Sequence, residues 1–275
     1  MGIVNVTPDS FSDGGCYFDP SRAIDHGLKL LSEGADLLDL GGESTRPGSH
    51  AGGSDALSAD EEQSRILPVL EGILRAVPEA VLSVDTYKAA TARTVIRAGA
   101  EIINDVSGLL WDAQMTPTLA ELQCGAVLMH TRGRPDEWRN QPSLIGEALY
   151  TEVERGLGAA LQQAQQAGIA SERIVLDPGY GFGKNFAENY DLLSRQSRIL
   201  ALGQPLLAGL SRKSFLGRTL SPLYKAEVPL EARSNASLAA AVAAILAGAA
   251  IVRVHEVRPT LEAALIADAL LAAIP

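Results

Sequence analysis

The sequence has few of the features that mark secreted or zinc-binding proteins. It contains only two cysteines, Cys16 and Cys124, which form neither a disulfide framework nor a CxxC pair. Its four histidines include no HExxH motif, which argues against a zinc site. The N-terminus lacks the basic and apolar segments of an export signal. Together these features predict a protein of the reducing cytoplasm.

Positive charge and long apolar runs are also scarce. The 23 lysines and arginines are outnumbered by 33 aspartates and glutamates, which gives a net charge of -10. Because nucleic acid and anionic membranes attract positively charged surfaces, neither is an expected partner. The apolar stretch LAAAVAAILAGAAIV, at 238–252, is too short to span a bilayer and is interrupted by Gly248. A buried helix followed by a strand explains this stretch better.

A repeated pattern of helix, Gly-Ala and short apolar run indicates the fold class. It occurs as EGADLLDLGGES, AGAEIINDVSG, CGAVLMHTRG and AGAAIVRVHE. The glycine in each copy stands where a helix would end in a left-handed conformation. The apolar runs are continuous rather than alternating, which is typical of parallel strands covered on both faces. The pattern therefore favours an α/β fold with a parallel sheet.

The same pattern predicts eight strands and eight helices in alternation. The strands are expected near 2–6, 36–40, 80–84, 101–104, 125–129, 173–177, 205–208 and 249–254. The helices are expected near 20–33, 58–76, 88–98, 115–123, 143–167, 186–197, 234–247 and 258–273, with a loop over 218–235. This alternation predicts one (β/α)8 TIM barrel, a single domain over residues 1–275. A doubly wound sheet is the alternative, but it rarely has so many units without a glycine-rich nucleotide loop after its first strand.

Almost every predicted strand ends in a polar or ionisable side chain. In a TIM barrel these ends meet at one face, where the active site lies. Asp85, Asn104 and Asp177 can each be explained as a helix cap or a turn residue when taken alone. Three such residues at the ends of barrel strands instead favour a shared binding pocket. Phe182, in a glycine-rich loop GYGFGKN that lacks the P-loop pattern, is a candidate flat wall of that pocket.

Basic side chains follow the last two predicted strands despite the acidic composition. Lys213 lies in SRKS, where it can donate a hydrogen bond to a ligand or an anion. Arg253 and His255 are two residues apart at a strand end and therefore face the same side. With Arg46 they can form a cationic pocket for phosphate, and the loops after the last two strands are where TIM barrels often bind it. Hydrogen bonds to carboxylates at the rim are the alternative explanation.

Taken together, these motifs resemble those of the dihydropteroate synthase family of pterin-binding TIM barrels. From Met1 to Val257 the chain contains, in order, NVTPDSFSDGG, GGESTRPG, SVDT, IIND, MH, LDPGYGFGKN, SRKS and RVH. The family condenses 6-hydroxymethyl-7,8-dihydropterin pyrophosphate with p-aminobenzoate and releases pyrophosphate, in folate synthesis. The resemblance implies a transferase with Mg²⁺ as its cofactor, which forms a homodimer and is a target of sulfonamides.

The resemblance also implies which residues bind each substrate. The pterin would contact Asp85, Asn104, Met129, Asp177, Phe182, Gly209, Lys213 and Arg253. Pyrophosphate would contact Asn5, Thr45, Arg46, Arg253 and His255. p-Aminobenzoate would contact Phe11, Thr45, Pro47, Lys213 and Ser214, and Mg²⁺ would be held by Asn5 and Asp13. The catalytic residues would be Asn5, Lys213, Arg253 and His255.

In the family the bond to pyrophosphate breaks first, in an SN1-like step, and the amine of p-aminobenzoate then attacks the pterin methylene cation. The opening loop at 7–15 is expected to close over Mg²⁺ and pyrophosphate. Two other functions are alternatives: a pterin-binding methyltransferase that passes a methyl group to a corrinoid, and a non-catalytic paralogue that binds a partner. The SRKS and RVH motifs favour pyrophosphate chemistry over both.

Overall fold

Eight parallel strands form one sheet in the computed structural model, which describes residues 1–7, 19–45 and 48–273. The strands are β1 (Gly2–Asn5), β2 (Leu37–Gly41), β3 (Val81–Asp85), β4 (Ile102–Asp105), β5 (Gly125–Met129), β6 (Ile174–Asp177), β7 (Leu206–Ala208) and β8 (Ala249–Val252). Each strand pairs with its neighbour in sequence. The Ile3 N–H donates to the Val254 carbonyl oxygen, and the Val254 N–H donates to the Met1 carbonyl oxygen, both at 2.9 Å. These bonds join the segment after β8 to β1 and close the barrel.

Helices connect the strands and cover the outside of the barrel. In the described residues they are α1 (Pro20–Ser32), α2 (Ala59–Ala76), α3 (Ala89–Arg97), α4 (Met115–Leu122), α5 (Glu147–Gln166), α6 (Phe186–Ser194), α7 (Ser214–Tyr224), α8 (Ser234–Leu246) and α9 (Val257–Ala272). The predicted (β/α)8 barrel is confirmed. Over these residues, no helix is both long enough and apolar enough to cross a membrane.

The two faces of each strand have different neighbours. Outward side chains such as Val4, Leu38 and Leu40 belong to the large core between the barrel and the helices. Met1, Val127 and Leu207 form a separate buried cluster inside the barrel. Because side chains alternate along a strand, inward positions nearer the C-terminal ends carry polar residues, beginning with Asp39 and Ser83, which are paired in register. The polar interior is therefore confined to one end of the barrel.

Part of the predicted loop over 218–235 is helical. Residues 214–224 form α7, and Glu231–Arg233 form a 3-10 turn before α8. Gly217 and Pro222 interrupt the helical pattern in the sequence. A Cβ on Gly217 would lie 2.5 Å from Arg233 Nε, so this glycine allows the turn to pack against α7. Helix α5 also starts at Glu147, later than predicted, because Gly146 has a φ of 57°, which is not a helical conformation.

Candidate active site

A buried carboxylate, Asp39, links the polar groups inside the barrel. Its Oδ1 accepts a hydrogen bond from Ser83 Oγ at 2.6 Å. Its Oδ2 accepts one from Asn104 Nδ2 at 3.0 Å and another from Arg253 Nε at 2.6 Å. One side chain of β2 therefore connects β3, β4 and the segment after β8.

Arg253 bridges two carboxylates at the mouth of the barrel. Its Nε contacts Asp39, and its Nη2 lies 3.1 Å from Asp85 Oδ2. Burial lowers the pKa of this guanidinium, but the two carboxylates outweigh burial and raise the pKa above its usual value. Arg253 is thus a positive charge held in place immediately after β8.

Asp85, the last residue of β3, changes charge near neutral pH. Burial raises the pKa of this carboxyl to about 7, although the adjacent Arg253 acts to lower it. The carboxylates of Asp39, Glu62 and Asp105 also raise this pKa, because a further negative charge nearby is unfavourable. A buried carboxyl with such a pKa is typical of binding and catalytic sites.

Asp177 and Lys213 bring opposite charges to the ends of β6 and β7. Asp177 Oδ1 accepts a hydrogen bond from the Gly179 N–H at 2.7 Å, and burial raises the pKa of this carboxyl. Burial lowers the pKa of Lys213 to about 8, while the charge of Asp177 opposes that shift. A Cβ on Gly209 would lie 3.9 Å from Asp177 Oδ2, so glycine leaves the space beside this oxygen open.

Aromatic and apolar side chains form a wall beside these charges. The wall consists of a buried cluster of Ala51, Tyr87, Val106 and Met129, with Trp111 and Phe182 packed against it. Phe182 also meets Trp138 edge to face, with ring centroids 5.0 Å apart. Lys213 Nζ lies 4.1 Å from the centroid of the Phe182 ring, a cation–π distance. The arrangement combines a flat apolar surface with hydrogen-bonding groups, as a planar heterocycle requires.

Lys184 holds the glycine-rich loop that carries Phe182. Its Nζ donates to three carbonyl oxygens, those of His130 at 3.2 Å, Gly179 at 2.9 Å and Phe182 at 3.2 Å. Burial lowers the pKa of this lysine to about 7. These contacts join the loop to the residue that follows β5. Among the described residues, Lys184 therefore has a structural role, which is to hold this loop in place.

The loops after β7 and β8 are joined by hydrogen bonds around His255. Its ring Nδ1 lies 3.0 Å from Ser211 Oγ, and its backbone N–H donates to the same oxygen at 3.3 Å. Arg212 Nη2 donates to Glu256 Oε1 at 3.0 Å, and the Arg212 N–H donates to Ser237 Oγ at 2.9 Å. His255 and Lys213 thus lie on two loops that are fixed relative to each other.

The other predicted site residues are less fully defined. Asn5 ends β1, Thr45 lies in the loop after β2, and Ser214 is the exposed first residue of α7. Within the described residues, none of these three makes a side-chain hydrogen bond to another predicted site residue. Four predicted site residues lie outside the described ranges, namely Phe11, Asp13, Arg46 and Pro47.

Two groups that organise the mouth have polar residues at predicted strand ends, but the sequence patterns assign them no role. One is Asp39, although a single charged residue in the apolar strand LLDLG is a visible signal. The other supports the loop after β2: Lys88 Nζ lies 2.5 Å from Glu43 Oε2 and 3.1 Å from Glu62 Oε1. Tyr87 Oη also donates to Glu43, at 2.9 Å. These partners are far apart in sequence, so no local pattern connects them.

Comparisons with known proteins identify the family of the chain. A family model described as pterin binding enzyme matches residues 1–255, and the chain belongs to that family of pterin-binding enzymes. A dihydropteroate synthase of Escherichia coli (strain K12) is 41% identical over 273 residues, which cover 99% of this chain and 92% of the relative. That of Bacillus subtilis (strain 168) is 40% identical and covers 98% of this chain and 88% of the relative. Within the family, the chain is thus one of the dihydropteroate synthases, transferases of folate synthesis.

Solved structures give the same placement. The dihydropteroate synthase of Yersinia pestis with a sulfonamide drug complex has a TM-score of 0.88 and 41% identity, over 99% of this chain and 94% of that one. The enzyme of Xanthomonas albilineans in complex with 7,8-dihydropteroate has a TM-score of 0.82 and 39% identity, over 100% of this chain and 94% of that one. The family resemblance of the motifs is confirmed.

Proposed function

We propose that this chain joins 6-hydroxymethyl-7,8-dihydropterin pyrophosphate to p-aminobenzoate at the mouth of the barrel. The observation that carries the proposal is the linked set of charges formed by Arg253 with Asp39 and Asp85. This set combines acceptors for a heterocycle with a cation for a departing anion. Residues 1–275 would act as a single pterin-binding domain.

The pterin would lie against the Phe182 and Met129 wall with its polar edge towards the acidic side chains. A pterin has a ring N–H beside an amino group, two parallel donors that one carboxylate can accept together. Asp177 suits this role, and Asn104 would donate and accept further along the same edge. Asp85 would accept the N–H of the reduced ring, and Lys213 would donate to the ring oxygen and a neighbouring nitrogen. Gly209 leaves room for the ring beside Asp177.

The reaction would proceed by departure of pyrophosphate before attack by the amine. Arg253 and His255 would stabilise the leaving anion, together with Asn5, Thr45 and Arg46. The exocyclic methylene cation left behind is stabilised by conjugation with the pterin. The remaining task of the protein is to align the amine of p-aminobenzoate with that carbon. This route needs no nucleophilic serine or cysteine.

Mg²⁺ would be held by Asn5, by the phosphate oxygens of the substrate and by Asp13, which lies outside the described residues. The donor set fits this ion, because Mg²⁺ prefers amide, carboxylate and phosphate oxygens with retained water. The Asn5 side chain is half-buried at the C-terminal end of β1, at the face of the barrel where the other proposed ligand-binding residues lie. When bound, the ion would neutralise charge on the departing pyrophosphate.

p-Aminobenzoate would bind near the start of α7 with its carboxylate at Ser214. The residue before this helix, Lys213, makes no side-chain capping bond, which leaves N–H groups of the first turn open to an anion. Thr45 would contact the ring, as would Phe11 and Pro47 outside the described residues. A sulfonamide, which resembles this substrate, would compete for the same place.

The chain would form a homodimer in the cytoplasm. The last helix supports this proposal, because Leu265, Ile266 and Leu270 are exposed on α9 by 53–66% of their surface. Exposed apolar groups grouped on one element are typical of protein interfaces.

Pyrophosphate release tests the proposed function directly. Wild-type protein mixed with pterin pyrophosphate, p-aminobenzoate and Mg²⁺ should release pyrophosphate, and omission of the pterin substrate should abolish the signal. Asp177→Asn should lower kcat/KM by about a hundredfold, because an NH2 group then replaces one of the two oxygens that accept from the parallel donors of the pterin. Asp268→Asn, an exposed position on α9, is the matched control and should remain active.

Two outcomes would contradict the proposal. One is wild-type protein that binds the pterin but releases no pyrophosphate. The other is Asp177→Asn with unchanged kinetics. Transfer of a methyl group from a reduced folate to a corrinoid would instead support the methyltransferase alternative.

A further inference from the structure

Asp39 is a buried charge whose three hydrogen-bond donors come from three other segments of the barrel. The side chain is fully buried on β2, below the mouth. A carboxylate in such a position is unfavourable unless its oxygens are paired. Here both oxygens are paired, and two of the three donors belong to Asn104 and Arg253, which the proposed function assigns to the pterin.

The two Asp39 oxygens have different partners. One oxygen contacts a residue of the barrel interior, and the other contacts two residues of the proposed pterin site. Among the described residues, the hydrogen-bond donor to Oδ1 is Ser83, a residue of β3 that lies inside the barrel. Oδ2 accepts from both Asn104 Nδ2 and Arg253 Nε. A single oxygen atom therefore determines where the Asn104 amide and the Arg253 guanidinium are placed.

The contact with Asp39 sets which way the Asn104 amide faces. Because Nδ2 is the atom turned towards Asp39, the amide oxygen and the second N–H remain for a ligand. That pair complements an adjacent donor and acceptor, such as an amino group beside a ring nitrogen. The opposite orientation would place the amide oxygen against a carboxylate, which is unfavourable. Asp39 thus selects the hydrogen-bonding pattern that the ligand must have.

The contact between Asp39 and Arg253 orients the guanidinium towards Asp85. With Nε bonded to Asp39, the guanidinium places Nη2 3.1 Å from Asp85 Oδ2. Without that anchor the long side chain would have more rotamers open to it, and ordering it on binding costs free energy.

We infer that Asp39 is a positioning residue for pterin binding, fixing the Asn104 amide and the Arg253 guanidinium through one shared oxygen. This inference rests on the proposed function of the site. Asp39 touches no ligand itself and acts only through these two neighbours.

Asp39→Asn is the sharpest test, because the two side chains have the same shape. The new amide can keep its oxygen towards Asn104 and Arg253 and donate its N–H to Ser83, whose hydroxyl can accept. Only the charge is lost, and a neutral oxygen is a weaker acceptor for a guanidinium, so the Kd for pterin pyrophosphate should rise about fivefold. The KM for p-aminobenzoate should stay within about twofold of wild type, because Thr45, Lys213 and Ser214, the described residues proposed for it, are not among the hydrogen-bond partners of Asp39.

Ser83→Ala is the matched control. It removes a hydrogen bond from the same buried carboxylate but leaves Oδ2 and both site residues in contact. Its melting temperature should fall, as that of Asp39→Asn should, while its Kd for pterin pyrophosphate should stay within about twofold of wild type. Calorimetric titration gives the Kd, and thermal melting gives the stability of each variant.

A double-mutant cycle with Asn104→Ala separates positioning from general stability. If Asp39 acts through Asn104, Asp39→Asn should weaken pterin binding less in the Asn104→Ala background than in wild type. An unchanged Kd in Asp39→Asn, or equal weakening by Ser83→Ala, would overturn the inference. Failure of wild-type protein to bind pterin pyrophosphate would instead overturn the proposed function.

Discussion

At the scale of single residues, burial shifts several pKa values towards neutrality. It raises the pKa of Asp85 to about 7 and lowers the pKa of Lys213 to about 8. Opposite charges stand close by: Arg253 bonds Asp85, and Asp177 acts on Lys213. The site therefore holds groups that gain or lose charge within the physiological range, which suits a substrate recognised by hydrogen bonds to charged side chains.

The pH dependence of pterin binding should report Asp85. The ionised carboxylate accepts the ring N–H, so affinity should increase as pH rises through about 7. Calorimetry with 6-hydroxymethyl-7,8-dihydropterin, which carries the ring N–H and has no phosphate to titrate, measures this effect. Asp85→Asn should bind more weakly and lose the inflection. A wild-type affinity that does not change around neutral pH would contradict the assignment.

The stability of the unliganded protein should respond to Asp85 in the opposite direction. Its pKa is raised from 3.8 to about 7 on folding, so the folded state binds the proton more tightly than the unfolded state. This contribution is fully present below pH 3.8 and is lost as pH rises through about 7. Asp85→Asn should remove this component from the melting temperature measured against pH.

At the scale of elements, close approach of helices to the barrel depends on particular glycines. Helix α5 lies against the end of β5, where a Cβ on Gly156 would be 2.5 Å from His130 Cδ2. A Cβ on Gly158, two residues further along the same helix, would meet only Leu202 Cδ2 at 3.8 Å. The two glycines lie on the same helix, but a Cβ would clash with a neighbouring side chain at Gly156 and would not at Gly158.

Alanine substitutions at these two glycines should have opposite effects on stability. Gly156→Ala should lower the free energy of unfolding by about 1 to 3 kcal/mol, because the buried His130 ring has to move. Gly158→Ala should raise it by up to about 1 kcal/mol, because alanine favours the helix and no clash follows. Denaturant unfolding measures both. If both variants lose stability equally, the packing of α5 on His130 does not explain why residue 156 is a glycine.

At the scale of the whole molecule, the last helix, α9, carries several exposed apolar side chains. The proposed homodimer would use the α9 surface of Leu265, Ile266 and Leu270. Leu265→Asp should convert the dimer to monomer, because a charge at an apolar interface is costly. Ile145→Asp is the control, an equally polar change at an exposed site outside α9.

Light scattering after size-exclusion chromatography measures the mass of each variant. A wild-type protein of monomer mass would contradict the proposed dimer, and a Leu265→Asp variant that remains dimeric would place the interface elsewhere.

The barrel and most of its mouth were predictable from sequence. Continuous apolar runs identify strands that are buried on both faces. The polar residue that ends each run, such as Asp85, Asn104 or Asp177, can be identified from the sequence alone. The fold then brings these ends together, because parallel strands in a barrel all end at one face. The later part of α7, residues 218–224, was predicted as a loop, since Gly217 and Pro222 weaken a local helical pattern that packing restores.

The role of Asp39 was decided by tertiary structure alone. Its three partners, Ser83, Asn104 and Arg253, are 44, 65 and 214 residues away in the chain. Amino-acid patterns carry information about nearby residues and about burial, so they identify elements and the residues at their ends. Which donor meets which carboxylate oxygen depends on strand register and barrel closure, and those are properties of the folded chain.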